Sequence, residues 1–114
     1  MTAVHLVPYV RNGNMVITSG QLAFNEAGRI EGDITQQTTR VLRRIETLLA
    51  ESGMNLHDVG KTSVWLVNAD DFIAFNAAYA EVFCDHMPAR STVVSQLTAP
   101  GALIEIEAIA WKRD

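Results

Sequence analysis

Apolar and polar positions fall into blocks of two different periods along the chain. Residues 14–24, NMVITSGQLAF, are rich in β-branched and apolar side chains, with turn chemistry after them between Gly28 and Gly32, so a strand is predicted over about 14–22. The preceding AVHLVPYV reads as its hairpin partner, joined through Asn12-Gly13, a pair that tolerates the positive φ of a tight turn. From Asp33 to Gly53 the period lengthens to that of a helix. Ile34, Val41, Leu42, Ile45, Leu48 and Leu49 form one apolar stripe, Asp33 caps the start with Gln36 three residues on, and Gly53 ends it. Arg40, Arg43 and Arg44 lie off the stripe and read as a solvated face.

Residues 60–68, GKTSVWLVN, predict a central strand. Asp70 or Asp71 then opens a second helix carrying Phe72, Phe75, Tyr79, Val82 and Phe83 on one face, and Pro88 marks its exit. PARSTVVSQL (88–97) and ALIEIEAIAW (102–111) predict two more strands, joined across Pro100-Gly101 and expected to pair with each other antiparallel. The order is strand, strand, helix, strand, helix, strand, strand, an α+β pattern. Two helices cover only one face of such a sheet. Trp65 and Val67 against Val64 and Leu66 put apolar side chains on both faces, so the open face needs another cover. A homo-oligomer with clefts where subunits meet is expected.

Length and composition fit that picture. The 114 residues suit a single domain over 1–114, and 48% apolar with 19% charged residues is the balance of a folded globular protein. Nine Lys and Arg stand against 13 Asp and Glu, a formal net charge of −4, which disfavours a nucleic-acid partner. The opening MTAVHLVPYV lacks the features of a secretory signal, and no apolar run approaches membrane-spanning length. Cys84 is the only cysteine, which excludes an internal disulfide and fits a reducing cytoplasm.

Few residues offer chemistry. His5, His57 and His86 form no metal-binding pair, and there is neither a G-x-S-x-G elbow nor a phosphate-cradling glycine loop. Cys84 and His86 both fall at a helix end, which sets covalent catalysis aside. What remains is Arg90 and Glu105. A guanidinium grips a carboxylate in two places and a carboxylate polarises a water, so together they suit the hydration of a small anionic acid. Glu105 lies near the start of its strand, so the two need not meet within one subunit, and a site joining them is expected across the oligomer. Each also has a purely structural reading: Glu105 alternates with Glu107 as on a half-solvated strand, and Arg90 suits a rim charge.

Four segments, GNMVITSGQ (13–21), FNAAYAEVF (75–83), PARSTV (88–93) and IEIEAIA (104–110), resemble in content and order the signature segments of the reactive intermediate deaminase family, known as RidA or YjgF. The resemblance implies a chorismate-mutase-like sheet with two helices on one face and a homotrimer with intersubunit sites. It also implies hydrolysis of 2-imino acids such as 2-iminopropanoate or 2-iminobutanoate to 2-keto acids and ammonia, with no metal or organic cofactor. By the same resemblance Arg90 holds the substrate carboxylate and Glu105 positions the attacking water, while Ser19, Gly20 and Asn76 line the pocket. Thr92 stands where many members have a cysteine, keeping a backbone amide and a hydroxyl but no thiol. Tyr9 matches the family tyrosine only loosely, because the stretch from it to Gly13 is short. A keto-acid binder or a chaperone-like surface is the alternative, and a ribonuclease acting on single strands is disfavoured by the acidic balance and the lack of a basic aromatic platform.

Overall fold

The computed structural model describes residues 4–112, so Ala3, counted above in the first strand, lies outside the described residues. Its elements run β1 (Tyr9–Asn12), β2 (Met15–Thr18), α1 (Ile34–Ala50), β3 (Val59–Leu66), α2 (Phe72–Phe83), β4 (Ala89–Val94) and β5 (Ile104–Trp111), the order read from the sequence. Asn12 pairs with Met15, so the hairpin turn is Gly13-Asn14, one residue later than expected, and Gly13 carries its positive φ of 59°. Asp33 caps α1 with Gln36 in a reciprocal capping box. The second helix begins differently. Asn68 caps a short 3-10 turn at Ala69–Asp71, and Asp71, next before α2, makes no side-chain capping bond.

The five strands lie in the order β1-β2-β5-β3-β4. This corrects the expected β4–β5 hairpin. α2 is a crossover long enough to return the chain parallel, so β4 pairs with β3 at the sheet edge. The 95–103 link then carries β5 to the other side of β3, where it runs antiparallel between β2 and β3. Buried Gln37 on α1 anchors that link, donating to the Gly101 carbonyl and accepting from the Leu103 amide (3.0 and 2.9 Å).

β2 is shorter than predicted. Thr18 is buried and its hydroxyl accepts the Ala108 amide at 3.0 Å. Ile17 pairs with Ile109 but Gln21 bridges Ile106, so the strand gains one residue relative to β5 in between. Such an insertion bends a strand and re-aims its side chains.

Both helices pack on one face. Val16, Val64, Leu66, Ile104, Ile106, Ala108 and Ala110 turn inward against Val41, Leu42, Ile45, Phe75 and Tyr79. The alternate positions form the other face, where Val10, Met15, Ile17, Val93 and Trp111 are exposed and Trp65 and Ile109 half-buried. No helix among the described residues is long and apolar enough to cross a membrane.

Candidate active site

Arg90 enters from the edge strand. It pairs with Thr62, whose side chain is buried beneath α2, so the Arg90 side chain rises on the helix-covered face. Its guanidinium carbon lies 4.8 Å from the Tyr79 ring centroid, 5.0 Å from that of Phe75 and 5.8 Å from that of Phe72. Nη1 donates to Asn76 Oδ1 at 2.9 Å. The aromatic faces hold the cation, each contact worth roughly 0.5–2 kcal/mol, and Asn76 fixes its plane. Among the described residues no carboxylate lies within ion-pair distance of it. A guanidinium with five N–H donors thus keeps most of its fork for something else.

The supporting tyrosine is itself held. Tyr79 and Thr62 hydroxyls lie 2.7 Å apart, and burial pushes the phenol pKa up against the opposing pull of that hydrogen bond and of Arg90. A neutral phenol leaves Arg90 unneutralised. Thr92 lies two residues on, on the same side of β4. The Ser95 amide donates to Leu66 in β3, and because amides alternate along a strand, that of Thr92 faces the free edge. Arg90 and Asn76 line a cavity of about 280 Å³, walled further by Tyr79, Phe83, Met87 and Pro88.

Glu105 belongs to a different surface. It pairs with Trp65, opposite in parity to the buried Ile104 and Ile106, so its carboxyl stands on the open face. The irregular stretch after β2 brings Gly20 directly against it. A β carbon at Gly20 would collide with the Glu105 carboxyl, so the missing side chain leaves the room in which that carboxyl lies. Burial, and secondarily the Glu107 charge, raise the Glu105 pKa above the ordinary carboxylate value. Ser19 precedes this contact, with its hydroxyl donating to the Val7 carbonyl at 2.5 Å and its amide to that of Pro8 at 2.8 Å.

The sequence-derived residues therefore fall into two groups: Arg90, Asn76 and Thr92 on one side, Ser19, Gly20 and Glu105 on the other. Tyr9 joins neither. Its hydroxyl donates to Glu51 Oε1 at 3.1 Å, beyond the end of α1. Phe72, Phe75 and Tyr79 were legible only as a buried helix face, and their role as the bed of Arg90 had no separate signal in the sequence.

The family described as Endoribonuclease L-PSP matches residues 1–112. The chain belongs to that family, also known as RidA or YjgF. Among relatives in the family, a RutC family protein of Pyrococcus abyssi is 40% identical over 105 residues, covering 90% of this chain and 83% of its own. The 2-iminobutanoate/2-iminopropanoate deaminase of Escherichia coli is 36% identical over 113 residues, covering 93% and 88%. The crystal structure of the E. coli YjgF gene product superposes with a TM-score of 0.90 at 35% identity, covering 97% of this chain and 91% of that one. The α+β family fold, five strands with two helices on one face, is the one described here.

Proposed function

We propose that the protein hydrolyses small 2-imino acids to 2-keto acids and ammonia, as a homotrimer whose sites join Arg90 of one subunit to Glu105 of the next. The observation that carries this reading is the aromatic-bedded guanidinium of Arg90, oriented by Asn76 and without an ion-pair partner among the described residues. Such a fork suits the carboxylate of a small acid. The exposed apolar side chains of Val10, Met15, Ile17 and Val93 on the open face support subunit contacts there.

Chemistry needs little more. In a protonated imine the C2 carbon is electrophilic, so a fixed anion and an aimed water suffice. Glu105 takes a proton from the water as oxygen bonds to C2, giving a neutral carbinolamine. It returns that proton to the nitrogen, the C–N bond breaks as the carbonyl forms, and the hydroxyl proton leaves with ammonia as ammonium. A carboxyl whose pKa is raised toward neutrality serves both transfers better than an ordinary one. No step calls on a metal or an organic cofactor.

Relatives in this family carry different names, and that of the E. coli deaminase states the activity proposed here. The test is direct. An amino-acid oxidase generates 2-iminopropanoate or 2-iminobutanoate, and its decay is followed with and without the protein. Acceleration proportional to protein concentration is expected. Decay at the spontaneous rate, with saturable binding of the keto acid, would make the protein a binder.

A further inference from the structure

Three of the chain's nine cations crowd onto a single turn of α1, an arrangement the imine chemistry does not use. Arg40, Arg43 and Arg44 are all exposed, at spacings of three and four residues that make them neighbours on the helix surface. Like charges so placed repel one another. Arg43 is paired with Glu46 at 2.9 Å, but Arg40 and Arg44 have no carboxylate within ion-pair distance among the described residues. In a chain of net charge −4 this is a local reversal of sign.

The three arginines border a groove of about 450 Å³ between α1 and the segment after β2, within the roughly 300–1,000 Å³ typical of small-ligand sites. Phe24 opens onto it with 37% of its surface exposed, beside Pro8 and Leu48. Several other polar groups of the wall are engaged: the Asn25 side-chain Oδ1 accepts from the Ala27 and Arg29 amides, and the Thr47 hydroxyl donates to the Arg43 carbonyl. Arg40 and Arg44 at one side, an apolar ring at another, and the carboxylate of Glu26 also on the wall make three kinds of contact in one groove.

We propose that this groove binds a nucleoside phosphate, separately from the site at Arg90. The phosphates lie between the Arg40 and Arg44 guanidinia, the base rests on Phe24, and Glu26 accepts from the ribose hydroxyls. Glu26 would repel a bare phosphate, and its presence selects a ligand that also brings hydroxyl donors. The groove shares no lining residue with the cavity at Arg90.

Titration calorimetry with ADP, AMP and inorganic pyrophosphate tests the proposal. ADP is expected to bind saturably, more weakly as salt rises from about 50 to 200 mM, and more tightly than pyrophosphate. The double variant Arg40→Ala/Arg44→Ala should lose at least tenfold in ADP affinity while hydrolysing imines at the parent rate. Phe24→Ala should weaken ADP and leave pyrophosphate unchanged. A 2-keto acid should not compete with ADP. Absence of saturable binding, full affinity in the double variant, equal weakening of ADP and pyrophosphate by Phe24→Ala, or competition by the keto acid would each overturn it.

Discussion

Arg90 and Glu105 stand on opposite faces of one sheet, with β3 running between their strands. Arg90 lies under α2 against Phe75 and Tyr79, and Glu105 lies on the open face over Gly20. No rotamer change within one chain brings the two together across a layer of paired backbone. A reaction that uses both has to be assembled from two copies.

The grip of Arg90 depends on its planar fork. Arg90→Lys keeps the charge but gives up the paired donors and the flat stacking on Tyr79 and Phe75. Keto-acid affinity and imine hydrolysis are both expected to fall at least tenfold, about 1.4 kcal/mol. Titration of a keto acid and steady-state kinetics on the same preparation check this, and parent values in both would return Arg90 to the rim of the sheet.

Much of this was legible in the sequence. The α1 stripe, its Asp33 cap and the order of seven elements follow from period and capping chemistry. Strand pairing does not. β4 and β5 are separated by a short loop that resembles a hairpin, and only the crossover through α2 decides that β4 lies parallel to β3 at the edge. Arg90 and Glu105 are legible in the sequence as candidates, but their division between two faces is not, because their parity depends on register with Thr62 and Trp65, and Tyr9, a further candidate, falls outside both groups. The close approach of Gly20 to Glu105 depends on the residue inserted between Ile17 and Gln21, which no local propensity marks.

Glu105→Gln keeps size and hydrogen bonding but cannot take a proton. It should bind keto acids like the parent and lose turnover, since only an interaction stronger in the transition state is removed. Because the Glu105 pKa is raised, the parent's acid limb in kcat/KM should lie above the ordinary carboxylate range. Glu107→Gln removes the secondary cause of that shift. It should leave turnover at neutral pH nearly intact and move the acid limb to lower pH, whereas equal losses from both variants would leave Glu105 a surface charge.

The same shift has a consequence for stability. Below the ordinary carboxylate range Glu105 is protonated in both folded and unfolded chains, and nothing is gained or lost. As pH rises toward the raised folded value, the unfolded chain ionises first and the fold loses stability. Glu105→Gln should therefore melt at a higher temperature than the parent at neutral pH, with the difference closing in acid. A variant less stable than the parent at neutral pH would contradict this.

Gly20 has no backbone need to be glycine, since it is absent from the positive-φ positions, but its missing side chain makes room for the Glu105 carboxyl. Gly20→Ala should fold, displace that carboxyl and lower kcat on the order of a hundredfold with little change in keto-acid affinity. Circular dichroism with kinetics separates this from a folding defect. A folded variant with parent turnover would show that the contact does not position the base.

The central claim, a site shared between subunits, is tested most directly by mixing two inactive variants. Arg90→Ala and Glu105→Gln are expected each to sediment as a trimer at micromolar concentration and each to be nearly inactive. In a ring containing both, one boundary joins the intact Arg90 of one subunit to the intact Glu105 of its neighbour. Random assembly of equal amounts should then restore roughly a quarter of parent activity. A co-assembled preparation no more active than the two variants assayed apart would contradict the shared site.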